Sequence, residues 1–216
     1  MHDLIRQHAR ALADRLDPEP DREQARAQAL DYYQHTAALA ESLLARRTVP
    51  AADAAALAPS IPVPVLDGHE QALNWARAER GSLLACLDHA VTTGQHARVI
   101  ALTTGLSGLL RHDGPWAEAL TRHATALRAA LHLDDRLGQA NVLADLGRFR
   151  VLTDDFEGAE RDLEEALGLY REIGNRTAEA EALNEAGTLY RIQGDLDRAT
   201  LCHQQALDLA REIGIA

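Results

Sequence analysis

A sequence pattern that recurs every 40 residues in the second half of the chain restricts the folds that the chain can adopt. The tetrapeptide REIG occupies 171–174 and 211–214, a shift of 40 residues. The same shift aligns further identical residues: Ala140 with Ala180, Leu143 with Leu183, Gly147 with Gly187 and Ala159 with Ala199. One step earlier, a weaker copy places Trp116 at the position of Phe156. A fixed period of this length indicates stacked structural repeats rather than a single irregular core.

Each copy predicts two antiparallel helices. In the second copy we expect helices over 136–152 and 156–173, the latter ended by Gly174-Asn175, residues typical of left-handed helix C-caps. The third copy predicts helices over 176–192 and 196–213. Alanine and leucine supply most of the apolar content and are strong helix formers, whereas aromatic residues make up only 4% of the chain. The fold class that follows is an all-α array of antiparallel helix pairs.

Prolines divide the N-terminal third of the chain. We expect a first helix over 3–16 that ends at Pro18 and Pro20, because proline breaks helices. Further helices are predicted over 22–47, 70–92 and 95–111. The predicted domain organisation is an N-terminal helical segment at 1–48, a proline-rich extended linker at 49–69 and helical repeats at 70–216.

Charge and residue content argue against several classes of function. The formal net charge is −11, which would repel a phosphate backbone, so we expect no direct contact with nucleic acid. All 22 basic residues are arginines, so the chain has no lysine for a phosphate-binding P-loop or a Schiff base. No nucleophile-elbow or zinc-protease motif is present in the sequence. We therefore expect a protein that is not an enzyme and uses no cofactor.

The histidines and cysteines do not form a recognisable metal or disulfide pattern. His112 and His123 could approach each other across one helix pair, but the ten histidines lack metal-site spacing, and we expect no metal. Cys86 and Cys202 are too few for a disulfide framework. No apolar run approaches the ~18 residues of a membrane span, and the N-terminal residues lack the apolar core of a secretory signal. These features predict a cytoplasmic protein without membrane contact.

The repeat resembles the tetratricopeptide repeat, whose pattern combines a large apolar residue, Leu-Gly and spaced alanines. The second copy carries this pattern at Leu143, Leu146-Gly147, Ala159, Leu163 and Ala166. Departures are Arg150 at an aromatic position, His203 at a large apolar position and Ser107 at the glycine position. The HEAT repeat, which shares the ~40-residue period, is the alternative. The tetratricopeptide resemblance implies a right-handed superhelical α-solenoid that binds a protein or peptide.

The N-terminal third resembles a second group of proteins. Met1-His2-Asp3-Leu4 is similar to the MHD motif of NB-ARC signalling ATPases, which closes a winged-helix subdomain. Asp31-Tyr32-Tyr33 and Trp75 resemble the linker and the start of the repeat arm in actinobacterial SARP-like transcriptional regulators. These resemblances imply a winged-helix remnant followed by the sensor or regulatory arm of a bacterial regulator. Its partner would be a protein, a peptide or the regulator's own ATPase domain.

Two other functions fit the same residues. The first is a fragment of an NB-ARC ATPase that keeps a contact with ADP through His2. The second is a stand-alone receptor for a signal peptide or a small molecule.

The tetratricopeptide resemblance also implies a concave groove lined by the first helix of each pair. Eight positions of this chain would line it: Thr104, Arg111, Asn141, Arg148, Glu181, Asn184, Thr188 and Arg191. We expect the arginines and asparagines to bind an acidic or C-terminal peptide, because arginine presents a forked donor to carboxylates. The alternative is that these arginines pair with acidic side chains of the chain itself.

The last predicted helix is followed by no polar capping helix, which helical-repeat arrays need for solubility. Leu201, Leu209 and Ile213 would then form an apolar edge. Our hypothesis is that this edge forms a homo-oligomer or contacts further repeats.

Overall fold

The computed structural model describes residues 8, 11–13, 15–45 and 62–214, and these residues form helices but no strand. The helices are α1 (Glu19–Leu44), α2 (His69–Thr92), α3 (His96–Asp113), α4 (Trp116–His132), α5 (Arg136–Leu152), α6 (Phe156–Ile173), α7 (Arg176–Gln193) and α8 (Leu196–Glu212). The all-α prediction is confirmed. His2 and most of the helix predicted over 3–16 lie outside the described residues.

Consecutive helices pack as pairs, and the pairs stack along the chain. Helix α3 packs on α4, α5 on α6 and α7 on α8, while α4 with α5 and α6 with α7 join successive pairs. The first helices of the pairs also touch, α3 with α5 and α5 with α7. This is the packing expected of a helical-repeat array, in which each pair covers the apolar side of its neighbour.

Helices α1 and α2 extend the array at the N-terminal side of α3. Helix α1 packs on both α2 and α3, and two glycines of α3 permit its close approach. A Cβ added at Gly105 would lie 2.8 Å from the Cβ of Ala37, and one at Gly108 would lie 2.7 Å from the Cβ of Leu44. Helix α1 therefore lies beside α3 as a first helix would. The division of the chain after residues 48 and 69 stays a prediction.

The start of α1 differs from the prediction. The helix begins at Glu19, with Pro18 at its N-cap and Pro20 inside the first turn. The prediction that Pro20 interrupts the helix was wrong, because the amides of the first turn have no acceptor within the helix and proline is tolerated there. Residues 62–67, which precede α2, form no helix.

Polar N-caps recur at intervals of 20 residues and fix the later helix boundaries. Each cap side chain accepts a hydrogen bond from the backbone N–H three residues further on, at Asp135, Asp155, Asn175 and Asp195. Such caps satisfy amides that have no partner within the helix. The predicted bounds of α5 and α6 are confirmed, and those of α7 and α8 differ by one residue at the C-terminal end.

Small residues set the separation of paired helices. A Cβ added at Gly147 would lie 2.8 Å from the Cγ of Leu163, and one at Gly187 would lie 2.7 Å from the ring of His203. The predicted close approach of α5 to α6 and of α7 to α8 is therefore present. None of the helices in the described part of the chain combines the length and apolar character that a membrane crossing needs.

Candidate ligand-binding groove

Two cavities that share three side chains lie across the first helices of successive pairs. Both include Arg111 from α3, Arg148 from α5 and Glu185 from α7. The larger has a volume of about 340 Å³ and is also lined by Ala45, Ala180, Glu181, Asn184, His203, Ala206, Leu207 and Ala210. The smaller, of about 230 Å³, is also lined by Val151, Leu152, Leu163, Thr188 and Leu189. We call the two cavities together the inner groove.

Five of the eight predicted groove residues therefore line the inner groove: Arg111, Arg148, Glu181, Asn184 and Thr188. Thr104 and Asn141 instead line a third cavity of about 320 Å³ between α1, α3 and α5. The Asn141 Oδ1 accepts a hydrogen bond from the Tyr170 hydroxyl at 2.9 Å. Arg191 is exposed in the last turn of α7 and lines none of these three cavities. The structure thus brings the predicted residues together only in part.

Arg111 is paired with a carboxylate of α1. Its Nη2 donates to the Oε1 of Glu41 at 3.0 Å, and the backbone N–H of Gly108 donates to the other carboxylate oxygen. Glu41 is buried, and only a residue without a side chain leaves room for its carboxylate beside α3. The α1 helix therefore supplies a fixed negative charge behind the groove.

Arg148 is paired with two carboxylates. Its Nη1 donates to the Oδ1 of Asp145 at 2.6 Å, and its Nε lies 3.2 Å from the Oε1 of Glu185. Burial by itself lowers the pKa of Arg148, but the charges of Glu185 and Asp145 more than reverse this effect and raise it. Arg148 is therefore a charged, well-anchored side chain whose charge is already balanced from two sides.

Asp145 joins Arg148 to a buried polar chain that crosses to α4. The Ser107 hydroxyl donates to the Oδ2 of Asp145 at 2.8 Å, and the Ser107 oxygen lies 2.9 Å from the His123 Nε2. The His123 Nδ1 lies 2.7 Å from the carbonyl oxygen of Ala119. Since a carbonyl only accepts and the one Ser107 proton goes to Asp145, these contacts fit a His123 with protons on both nitrogens.

The pKa of Asp145 reflects these neighbours. Burial of its carboxyl raises the pKa, but the hydrogen bond with His123 and the charges of Arg148 and Arg111 outweigh burial and hold the pKa well below its usual range. Asp145 is therefore ionised at neutral pH, which keeps Arg148 in place.

Ser107, His123 and Asp145 have the residue types of a hydrolase triad but not its arrangement. The hydroxyl lies between the imidazole and the carboxylate and donates to the carboxylate, whereas a nucleophilic serine donates to the imidazole. The exposed fractions of the three residues are 0%, 0% and 2%, so a substrate has no access to them. This chain of contacts serves to hold helices α3, α4 and α5 together.

Histidine contacts differ from the approach considered in the sequence. The ring of His112 lies beside that of His69, with centroids 5.2 Å apart, and not beside His123. Burial and the neighbouring charge of His69 lower the pKa of His112. Within the described residues, no three acidic, histidine or cysteine side chains are grouped as metal ligands.

Sequence reasoning missed the carboxylates that face the arginines. Glu41 lies outside the repeated segment, so no interval relates it to Arg111. Asp145 and Glu185 are separated by 40 residues, a signal that could have placed both on the inner faces of their helices. His203, already noted as a departure from the repeat pattern, lines the larger cavity, and its Nδ1 lies 3.1 Å from the Asn184 Oδ1.

Comparison with known families agrees with this architecture. A family model described as tetratricopeptide repeat matches residues 98–172 and, in an overlapping second match, 144–212. The two matches together span α3 to α8. A search of curated proteins finds no match to the chain. The chain belongs to the tetratricopeptide repeat family.

Proposed function

We propose that the chain is a non-catalytic module that binds a protein partner by holding an extended peptide segment in the inner groove. The observation that carries this proposal is that two cavities open side by side across α3, α5 and α7 and share Arg111, Arg148 and Glu185.

The size and lining of the cavities support a peptide as the ligand. Volumes of about 340 Å³ and 230 Å³ suit individual side chains, whereas a site for a whole drug-sized molecule buries most of it in one enclosed pocket. Both cavities combine apolar walls with charged groups. Side chains of an extended peptide alternate in direction, so two residues that are not adjacent in a partner can enter neighbouring cavities.

We further propose that this module is the sensor or regulatory arm of a bacterial transcriptional regulator, acting in the cytoplasm. The support is the resemblance of Asp31-Tyr32-Tyr33 and Trp75 to the linker of such regulators. Reading the coding DNA upstream of Met1 tests this context. We expect an in-frame P-loop ATPase domain there, and an in-frame stop codon would contradict the proposal.

The binding function is tested by selecting peptides from a random twelve-residue display library on the whole chain. Selected peptides are then synthesised, and their binding is measured by fluorescence anisotropy. The substitution Asn184→Trp fills the larger cavity from an exposed position and should abolish binding. Glu165→Trp, on the exposed side of α6, is the matched control and should leave binding unchanged. Peptides that bind all three proteins equally would refute the groove as the binding site.

A further inference from the structure

We propose that the inner groove selects a basic partner segment, an extended peptide whose arginine or lysine side chain enters the larger cavity beside Glu181 and Glu185. This inference rests on the peptide-binding function proposed above and adds the charge of the ligand to it. It reverses the expectation of an acidic ligand that the arginine positions suggest in the sequence.

The groove arginines are already occupied by carboxylates of the chain itself. Arg111 is held by Glu41 at 3.0 Å, and Arg148 by Asp145 at 2.6 Å with Glu185 at 3.2 Å. An acidic ligand would gain only what remains of two balanced charges. It would also lie close to the internal carboxylates, and like charges in contact are strongly unfavourable.

These internal pairs cannot rearrange at low cost to free an arginine. Asp145 is buried and fixed by Ser107 and Arg148, and Glu41 is buried and accepts from the backbone of Gly108. Moving either carboxylate would leave a buried charge without its partners, which is strongly destabilising. The arginines therefore act as fixed struts of the groove wall rather than as hands for a ligand carboxylate.

Counting the charges around the groove leaves an excess of negative charge. Two arginines face four carboxylates: Arg111 and Arg148 against Glu41, Asp145, Glu181 and Glu185. The groove therefore carries a net charge of about −2 with all carboxylates ionised. The whole chain has a net charge of −11, so the long-range field also attracts a cationic segment.

The larger cavity offers a place for one long cationic side chain. Glu181 and Glu185 are four residues apart on α7 and so share one face of the helix, where two like charges disfavour each other until a cation lies between them. Ala180, Ala206 and Ala210 line the same cavity. Arginine and lysine bury an aliphatic stem along such small apolar surfaces and keep the charged end with polar groups.

The peptide selection described above gives a separate readout for this inference. Peptides that depend on Asn184 should be enriched in arginine or lysine. In the tightest peptide, replacement of its main basic residue by glutamine should weaken binding about tenfold, as expected for loss of one charged hydrogen-bonding group. The protein variant Glu181→Gln/Glu185→Gln should show a similar loss.

The control separates a local contact from general attraction to an acidic protein. Glu164→Gln/Glu165→Gln removes the same two charges from the exposed side of α6 and should leave binding within about twofold, because exposed charges at a distance are screened by salt. The losses from the peptide change and from Glu181→Gln/Glu185→Gln should not add when combined, since both remove one interaction.

The outcomes distinguish the two proposals. Groove-dependent peptides that are acidic or uncharged, or whose basic residue can be replaced without loss, would overturn the basic-ligand inference and leave the peptide-binding function standing. Equal losses in the Glu181→Gln/Glu185→Gln and Glu164→Gln/Glu165→Gln proteins would overturn it too. A selection that yields no groove-dependent peptide would overturn both.

Discussion

Among single residues, Asp145 connects the interior of the protein to the groove. Its buried carboxylate takes hydrogen bonds from Ser107 and Arg148, and the Nε2 of His123 lies 3.7 Å away. Four polar groups from α3, α4 and α5 thus depend on one side chain. Satisfied polar networks of this kind hold helices in one arrangement, and removal of one member leaves the others without partners.

Substitution Asp145→Ala should lower the free energy of unfolding by about 3 kcal/mol, because it leaves the charge of Arg148 partly uncompensated in a buried site. The measurement is urea denaturation followed by circular dichroism. Glu165→Ala is the control on the exposed side of α6 and should change stability by less than about 0.5 kcal/mol. A loss for Asp145→Ala no greater than that of the control would contradict this role.

The pH dependence of stability should also report Asp145. Its pKa is lowered in the folded protein, so the unfolded state binds the proton more readily and the ionised form stabilises the fold. This contribution is fully present above the ordinary carboxyl pKa of 3.8 and is lost as the pH falls further. Below about pH 4, the unfolding free energy should fall more steeply for the wild type than for Asp145→Asn. Parallel curves for the two proteins would show that Asp145 is not the group concerned.

Residue pairing shows where prediction from the sequence reaches its limit. The arginines at 111 and 148 are placed correctly on the groove by their positions in the repeat. Their partners were not foreseen, because Glu41 comes from outside the repeat and the contact of Ser107 with Asp145 joins successive pairs. Such contacts depend on how the pairs stack, and no interval in the sequence encodes that stacking.

At the scale of helices, most boundaries follow from local chemistry. The caps Asp135 and Asp155 and the left-handed Gly174 are visible in the sequence, and for that reason the limits of α5 and α6 agree with prediction. Helix α1 shows the opposite case. Proline was taken as a breaker at Pro20, although its position in the first turn makes it compatible with a helix start.

The spacing of α5 and α6 gives a test at this scale, using two glycines in adjacent helices. A Cβ at Gly147 would lie 2.8 Å from the Cγ of Leu163, whereas one at Gly168 meets nothing within 4 Å. Gly147→Ala should therefore destabilise the protein by about 1–3 kcal/mol through overpacking. Gly168→Ala should stabilise it by about 0.5–1 kcal/mol, because alanine loses less backbone entropy in a helix. Thermal unfolding of both variants measures the difference, and equal effects of the same sign would contradict the packing described.

At the scale of the whole molecule, the array exposes apolar side chains on α8. Leu196 and Leu201 have exposed fractions of 64% and 58%, while Leu209, which was expected at this edge, is buried. The expectation for Leu209 was wrong because that side chain faces the core shared with α6 and α7 residues. The exposed leucines occupy the side of the last described pair on which a further pair would stack.

We expect this surface to drive weak self-association, because exposed apolar side chains in a repeat array lack the cover that a neighbouring pair supplies. Multi-angle light scattering over a range of concentrations should show a mass that rises with concentration for the wild type and stays at the monomer value for Leu201→Glu. A strictly monomeric wild type at high concentration would rule this out.

The direct test of the central claim is to map where a selected peptide lies on the protein. A peptide carrying a photoreactive residue at its centre is cross-linked to the chain, and the modified residues are identified by mass spectrometry. We expect cross-links to the inner groove, at Asn184 or Leu207 and their neighbours. Cross-links confined to the exposed side of α4 or α6 would contradict the account.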